Sequence, residues 1–239
     1  VASIDAVLEA SGTISGTVSS GGSGVGGVFV HAYHASDPTY WVGFTETEPD
    51  GSYTIGGLAP GDYKVSFNHA SGQNYLDEWY NNKADPYSAD VITLTRGGSG
   101  ATGVNAELTT GGSISGTVTG SDAPDGLAGV QVRILDGDYA FKGGTLTAPD
   151  GTYTVGGLPT GTHYVEFFTG EPGSEDGLNY QSEFFNERLD WDEADPVAVT
   201  AGSDTFLEDA ELQHYGSISG KVTGSDHGEG MEGLEVVLY

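Results

Sequence analysis

Cysteine and basic residues are what this 239-residue sequence most conspicuously lacks. It has no cysteine, one methionine, and 7 Lys plus Arg against 35 Asp plus Glu, for a formal net charge of −28. Without cysteine there is no disulfide framework and no thiolate metal site. Because phosphate repels so acidic a chain, the composition excludes a basic nucleic-acid-binding face and attachment to anionic membranes.

Long hydrophobic runs are also missing. The uninterrupted apolar stretches are only a few residues long, whereas a helix needs about 20 apolar residues to cross a bilayer. The sequence therefore predicts no direct membrane insertion by this segment. Glycine, in contrast, is abundant at 40 residues, and that abundance disfavours long helices.

Internal repetition organises the chain. The segment ISGTV at residues 14–18 returns at 114–118 and, as ISGKV, at 218–222. The ten residues PDGSYTIGGL at 49–58 return as PDGTYTVGGL at 149–158. Self-similarity at a fixed period is the signature of a repeat architecture.

The spacing of these motifs predicts the organisation of the repeats. Full repeats are expected at residues 12–110 and 111–215. Residues 1–11 match the closing strand of a preceding repeat, and residues 216–239 match the opening strands of a further, incomplete one. We therefore expect this segment to belong to a longer array.

Alternation of apolar and polar residues predicts strands within each repeat. Val28, Val30 and Ala32 alternate with their neighbours, as do Val65 and Phe67 further along. A period of two is the signal of a half-buried strand, whose apolar set faces the core. Short strands with frequent turn signals, at about 100 residues per unit, favour an antiparallel β-sandwich.

Two connections carry predictions of their own. Asp50 and Gly51 stand between extended stretches, where glycine supplies the positive φ of a tight hairpin turn. Residues 74–83 and 179–188 are polar and aromatic without alternation. They predict a short helical turn or an ordered loop that crosses the end of the sandwich.

The order of the motifs supports a family resemblance. ISGTV, G-x-x-V-x-V, D-G-x-Y-x-[IV]-x-G-L-x-x-G and a closing A-E-L strand resemble the carboxypeptidase regulatory-like domain, a transthyretin-like β-sandwich close to the Cna B-type domains. The resemblance implies an all-β fold of tandem antiparallel Ig-like (prealbumin-like) β-sandwich domains. Proteins with such domains in tandem include prokaryotic surface stalks, adhesins and filaments, which implies an extracellular or cell-surface location.

The resemblance also raises the question of a covalent crosslink. Cna B relatives often join a first-strand lysine to a last-strand asparagine through an isopeptide bond. Thr17 and Thr117 stand at the first-strand positions here, while Asn105 takes a plausible closing position. No crosslink is therefore expected in the two full repeats, and Lys221 is a candidate for one in the third.

No catalytic arrangement is found in the sequence. The six histidines do not recur at equivalent positions, and neither an H-E-x-x-H pair nor a G-x-S-x-G elbow is present. We therefore expect no enzymatic activity and no organic cofactor.

The carboxylates divide into a variable majority and a recurring few. The first repeat has 3 basic and 10 acidic residues, and the second has 3 and 19, so most acids are expected to be solvated surface. Ca²⁺ takes six to eight oxygen ligands, mostly from loops, and some acids recur in one irregular stretch. The candidate calcium ligands are Glu78, Asp85, Asp90, Glu183, Asp190, Asp192 and Asp195. Adaptation to molar monovalent salt is the alternative explanation of the acidity.

Aromatic pairs occupy matching places in the same stretch. They are Trp79 with Tyr80 and Phe184 with Phe185. Such rings stack on a ligand such as a sugar, or they close the bottom of the core or pack against the next domain, and we expect packing. The linkers at residues 109–113 and 214–217 are short, which predicts restricted motion between repeats.

Together these patterns predict a structural segment of an extracellular stalk, adhesin or filament, acidic and stabilised by cations, that acts as a spacer or scaffold. Its expected partners are neighbouring repeats of the same chain and identical chains in a fibre. The alternative is a carbohydrate- or protein-binding module that uses the aromatic loop or a sheet edge.

Overall fold

The computed structural model describes residues 11–170, 178–216 and 220–223. The first set of strands is β1 (Gly12–Ser20), β2 (Ser23–Gly24), β3 (Phe29–His34), β4 (Asp37–Glu46), β5 (Ser52–Leu58), β6 (Gly61–Asn68), β7 (Glu78–Trp79), β8 (Ile92–Leu94) and β9 (Ala106–Glu107). The second set is β10 (Gly112–Gly120), β11 (Gln131–Leu135), β12 (Phe141–Leu146), β13 (Thr152–Leu158), β14 (Gly161–Phe168), β15 (Glu183–Phe184), β16 (Val197–Val199), β17 (Asp204–Phe206) and β18 (Ala210–Leu212). A 3₁₀ turn, Trp191–Glu193, precedes β16.

Each set of strands forms two sheets. In the first sandwich, residues 12–107, one sheet has the order β2-β1-β5 with β9 beside β1, and the other has the order β4-β3-β6-β7 with β8 beside β6. In the second sandwich, residues 112–212, the orders are β13-β10-β17 with β18 beside β10, and β12-β11-β14-β15 with β16 beside β14. The predicted all-β sandwich class is confirmed.

The closing strands β9 and β18 run parallel to the opening strands, as β17 does beside β10, whereas the other strand pairs are antiparallel. β9 pairs with β1 in parallel, with Val18 opposite Ala106, and β18 pairs with β10 in the same way, with Val118 opposite Ala210. A parallel pairing requires a long crossover, and here the whole sandwich forms that crossover. The first and last strands of each unit therefore lie side by side.

Each sandwich has its own hydrophobic core. The predicted inward residues Val28, Val30 and Ala32 are fully buried, and Phe67 is buried with them. The Phe67 ring packs edge-on against Tyr53 at 5.9 Å between centroids, and the corresponding pair in the second sandwich repeats this contact at 5.8 Å. Edge-to-face aromatic pairs contribute about 0.5–1.5 kcal/mol beyond their buried area.

The prediction of a hairpin at Asp50 and Gly51 is wrong. The flanking strands β4 and β5 belong to different sheets, so the turn crosses from one sheet to the other. Gly51 has a φ of 81°, and a Cβ there would lie 2.1 Å from the carbonyl oxygen of Val18. Alternation indicates that a strand exists but not which strand it pairs with, and glycine is required here by close packing as well as by φ.

Of the two structures predicted for residues 74–83, a helical turn or an ordered loop, the structure shows the ordered loop. β7 adds to the edge of β6, with Ser66 opposite Trp79, and the chain reverses through Asn81 and Asn82, whose φ values are 66° and 55°. Asparagine tolerates this left-handed conformation. The second sandwich has the same reversal, so the stretch extends a sheet in both.

The crosslink positions lie side by side. Asn105 Oδ1 accepts hydrogen bonds from the Thr17 backbone N–H at 2.9 Å and from Thr17 Oγ1 at 3.2 Å. A hydrogen-bonded pair therefore stands where the resemblance places the lysine and asparagine of an isopeptide bond. Lys221 is exposed, and most of residues 1–11 and 216–239 lie outside the described residues. No helix in the described part of the chain is long and apolar enough to cross a membrane.

Candidate functional site

The two sandwiches meet at a junction whose contacts the sequence does not predict. The segment at residues 69–76, here called the junction loop, follows β6 and lies against the linker that leads into β10. Leu76 N–H donates to the Thr109 carbonyl at 2.9 Å, and Tyr75 forms an antiparallel bridge with Thr110. The linker is therefore held as a short strand rather than as a free tether.

Asn74 joins the junction loop to the second sandwich. Its Oδ1 accepts a hydrogen bond from Gly157 N–H at 2.7 Å, and its carbonyl accepts from Gly111 N–H at 3.0 Å. The adjacent Gln73 holds the loop on its own sandwich, because its Nε2 donates to the Gly26 carbonyl at 2.8 Å. A side-chain amide offers an uncharged acceptor, which suits a partly buried contact with a backbone N–H.

Glycine makes the close approach possible. A Cβ at Gly157 would lie 2.3 Å from His69 Cε1 and 3.0 Å from the Tyr75 carbonyl oxygen, and a Cβ at Gly111 would lie 2.8 Å from Gly157 Cα. Gly157 also has a φ of 73°, a conformation that costs other residues about 1–2 kcal/mol. We call Gly156 and Gly157 the glycine turn of the second sandwich.

His69 packs over this turn and is itself fixed by Asp77. Both the backbone N–H and Nδ1 of His69 lie 2.8 Å from Asp77 Oδ1. Burial alone would raise the pKa of Asp77, but the hydrogen bonds from His69 outweigh it and hold that pKa below its ordinary value. Asp77 therefore stays ionised at neutral pH and orients the ring that covers Gly157.

A cleft of about 470 Å³ opens beside these contacts. Ser71, Gly72 and Asn74 of the junction loop form one wall, and Phe141 and Lys142 of β12 contribute to the other. The junction is therefore solvated on one side and closed by hydrogen bonds on the other.

The backbone hydrogen bonds between the junction loop and the linker have counterparts at the far end of the second sandwich. Gln181 N–H donates to the Gln213 carbonyl at 2.8 Å, and Tyr215 N–H donates to the Asn179 carbonyl at 2.9 Å. Asn179 thus stands where Asn74 stands in the first sandwich. The repeated asparagine and the repeated Gly-Gly pair were the sequence signals that could have located the junction.

The predicted calcium residues of the first sandwich have other contacts. Asp85 Oδ1 accepts from the backbone N–H groups of Tyr87 and Ser88 at 2.8 and 3.0 Å, which lowers the pKa of Asp85. Asp90 Oδ2 accepts from Asn81 Nδ2 at 2.6 Å. These two carboxylates therefore close turns of the loop.

The corresponding carboxylates of the second sandwich have similar contacts. Asp195 Oδ2 accepts from Asn186 Nδ2 at 2.9 Å and pairs with Arg188, and these contacts lower the pKa of Asp195. Asp190 is the N-cap residue of the 3₁₀ turn and makes no side-chain cap bond, while Asp192 lies within that turn. The Asn–Asp bond across the loop is the feature that both copies share.

Calcium binding at these loops stays a prediction. Within the described ranges, no group of three or more His, Asp or Glu side chains is arranged to hold a metal ion. If Ca²⁺ nevertheless stabilises the loops, adding EDTA to the chain at low salt lowers its melting temperature, and restoring Ca²⁺ recovers it. An unchanged melting temperature would contradict calcium binding.

Glu78 and Glu183, the other two candidates, are the carboxylates whose pKa values are raised most. Glu78 Oε1 is buried without a hydrogen-bond partner among the described residues, and Glu183 is only 5% exposed. Burial, together with Glu107 for the former and Glu187 for the latter, raises both pKa values to about 7. Glu183 also lines a cleft of about 380 Å³ with Glu187, Glu208, Asp209 and Glu211.

Glu183→Gln is expected to stabilise the second sandwich at pH 8 but not at pH 4.5. Burial raises the pKa of Glu183 in the folded state. The contribution of the protonated carboxyl to stability is therefore fully present below pH 4.5 and is lost as the pH rises through 7. The free energy of unfolding of the variant should exceed that of the unaltered chain by on the order of 1–3 kcal/mol at pH 8. Urea unfolding at the two pH values measures this gain, and Glu193→Gln, at an exposed residue of the 3₁₀ turn, provides the control. An equal gain at pH 4.5 would contradict the buried ionisation.

The aromatic pairs of this loop pack within their own sandwiches. Tyr80 and Phe185 lie against the two cores, Phe184 is 7% exposed, and Trp79 contacts Tyr33 at 5.0 Å between ring centroids. None of these four residues lines the cleft between the sandwiches. The junction is built from polar groups and glycine instead.

The comparisons with known proteins give only distant likenesses. No protein-family model matches the chain, and no curated protein matches its sequence. Among solved structures, the Bacillus anthracis TIE protein is 12% identical with a TM-score of 0.32, over 86% of this chain and 34% of that one. A Streptococcal ancillary pilin is 10% identical with a TM-score of 0.38, over 86% and 62%. The shaft pilin spaA from Lactobacillus rhamnosus GG is 12% identical with a TM-score of 0.36, over 87% and 100%.

The chain thus spans about a third of the TIE protein and less than two thirds of the ancillary pilin. At these identities and TM-scores the likenesses assign the chain to no family.

Proposed function

We propose that this chain is a structural segment of an extracellular surface stalk or filament, in which tandem β-sandwiches act as a stiff spacer. The observation that supports this most directly is the junction. The linker is paired with the junction loop, and Asn74 bridges to Gly157 of the next sandwich. A spacer sets a distance only when the angle between its units is fixed, and these contacts restrict that angle.

The composition is compatible with this role. The charge of −28 keeps the chain soluble and discourages nonspecific association, and the two hydrophobic cores need no disulfide. The location at the cell surface rests on the sequence resemblance described above. In a chain of this kind no residue acts on a substrate.

Amide hydrogen exchange at Gly157 and Gly57 tests whether the junction forms in solution. These glycines have equivalent places in the two sandwiches, but Gly157 N–H donates to Asn74 Oδ1, while the corresponding surface at Gly57 is exposed. We expect Gly157 to exchange more slowly, and Asn74→Ala to bring it to the rate of Gly57. Asn179→Ala, the matched control, should leave Gly157 unchanged. Equal exchange of the two glycines in the unaltered chain would contradict a formed junction.

A second candidate function, binding of carbohydrate or protein, is favoured by the outer face of β3 and β4. Trp41 and Phe44 are 53% and 54% exposed, and His31 stacks on Phe44 at 6.1 Å between centroids. The second sandwich has an ion pair of Arg133 with Glu166 on the same face, so the fold does not require these aromatics. A binding module should gain thermal stability with a soluble glycan or a partner in excess, whereas a spacer should not.

A further inference from the structure

The cleft between the two sandwiches is a neutral surface on a strongly acidic chain. The chain has 35 Asp and Glu residues, yet among the described residues that line this cleft none is acidic. The ammonium group of Lys142 is paired with Asp136 at 2.7 Å. His69 Nδ1 lies 2.8 Å from Asp77, whose ionised carboxylate can only accept a hydrogen bond. Both basic side chains of the lining therefore have an acidic partner already, and the cleft favours a ligand without net charge.

Polar groups from both sandwiches reach this cleft without a partner. Ser71 Oγ and Asn74 Nδ2 of the junction loop and Thr154 Oγ1 of β13 make no hydrogen bond to any of the described residues. Ser71 and Thr154 are also exposed. A hydroxyl group both donates and accepts, and the amide nitrogen donates. A ligand with several neighbouring hydroxyl groups can pair with all three.

An exposed aromatic ring adds an apolar platform on β12. Phe141 is 59% exposed, and a Cβ at Gly144 would lie 3.2 Å from Phe141 Cε2, so glycine leaves room for the ring. Gly143 and Gly144 line the cleft without side chains of their own. An aromatic ring beside a few convergent polar groups is the usual composition of a small-ligand site. The apolar face of a sugar ring can stack on such a ring while its hydroxyls reach the polar groups.

We propose that this cleft binds a short neutral oligosaccharide, with Phe141 stacking on one sugar ring and the unpaired polar groups of Ser71, Asn74 and Thr154 bonding to its hydroxyls. The volume of about 470 Å³ lies within the range of small-ligand sites. The bound sugar contacts both sandwiches, so it holds the junction in the same arrangement that the spacer requires.

An extended peptide added to the edge strand β12 is the competing occupant. Two features of β12 oppose strand addition. Lys142 stands on this edge, and the pairing of β12 with β11 shifts register between Ile134 and Leu135. Edge lysines and bulges are devices that keep a further strand from pairing. The sugar is therefore the occupant that the cleft favours.

The proposal rests on the proposed spacer function, because the cleft exists only while the junction holds the two sandwiches together. The full chain, ¹⁵N-labelled, is titrated with cellotetraose, maltotetraose and N-acetylchitotetraose, each to about 10 mM, so that millimolar dissociation constants are detected. We expect at least one of these sugars to shift the amide signals of Gly144, Thr154 and Gly156. The signal of Gly56, at the equivalent turn of the first sandwich, should not move.

Phe141→Ala should weaken this binding about tenfold, and Thr154→Val, which removes one hydroxyl at nearly constant shape, about threefold. Leu146→Ala is the matched control. Leu146 is also on β12 and is 63% exposed, but it does not line the cleft. This variant should bind like the unaltered chain.

The proposal is overturned if none of the three sugars shifts the cleft signals, or if Phe141→Ala binds as tightly as the unaltered chain. Shifts confined to Trp41 and Phe44 would place the sugar on the outer face of the first sandwich and would also overturn it. The same holds if a neutral peptide of alternating threonine and valine binds at β12 and the sugars do not. Slow exchange at the Gly157 amide would then show that the spacer junction stands without this site, whereas fast exchange would remove both.

Discussion

Gly157→Ala is expected to release the two sandwiches from each other while both stay folded. The new Cβ would lie 2.3 Å from His69 Cε1 and 2.4 Å from its Nε2. The ring has little room to move, since two hydrogen bonds tie His69 to Asp77. The junction loop must therefore lift, which breaks the hydrogen bond between Asn74 and Gly157.

Backbone ¹⁵N relaxation measures this release. In the unaltered chain, amides of the two sandwiches should report one slow tumbling time, and in Gly157→Ala each sandwich should tumble faster and independently. Gly57→Ala is the matched control, because it places alanine at nearly the same φ with nothing within 4 Å. Both variants carry a strain of about 1–2 kcal/mol, so only the difference between them reports the junction. Identical tumbling in the two variants would contradict the clash.

Phe67→Ala is expected to destabilise the first sandwich by about 3–5 kcal/mol, and Phe167→Ala the second by a similar amount. Both rings are fully buried, and each packs edge-on against a tyrosine of its own core. The two cores share no residue. Truncation of one ring should therefore change the free energy of unfolding of the other sandwich by less than about 1 kcal/mol, the scale of the junction hydrogen bonds.

Urea unfolding followed by amide signals from each sandwich separates the two transitions. An exposed ring far from both cores provides the control, since Tyr87 is 87% exposed and Tyr87→Ala should change neither midpoint. If Phe67→Ala instead moves both transitions together, the two sandwiches unfold as one unit and the junction is much stronger than its few hydrogen bonds suggest.

The sequence predicts the core well because burial follows local alternation. A period of two alone predicts that Val30 and Phe67 face inward, and both are fully buried. The hairpin predicted at Asp50 and Gly51 is wrong because alternation does not say which sheet a strand joins. For the loop before Lys83 the sequence leaves a helical turn and an ordered loop open, and the left-handed asparagines, which reverse the chain there without a helix, decide for the loop.

The candidate site was not predictable in the same way. Asn74 and Gly157 are 83 residues apart, and a loop asparagine looks like any solvated polar residue until the partner is known. The metal candidates illustrate the opposite error. Asp85 and Asp90 recur at matching positions, yet their oxygens accept hydrogen bonds from Ser88 and Asn81 of their own loop. Recurrence shows that a residue is needed without showing whether for a ligand or for the fold.

The measurement that tests the spacer account most directly is the distance distribution between spin labels on the two sandwiches. The chain has no cysteine, so Tyr87→Cys with Phe206→Cys gives two unique labelling sites, and both positions are largely exposed. Pulsed electron spin resonance of the doubly labelled chain should give one narrow distribution, which broadens when Asn74→Ala is added. A broad distribution in the chain with Asn74 intact would contradict a stiff junction and with it the spacer function.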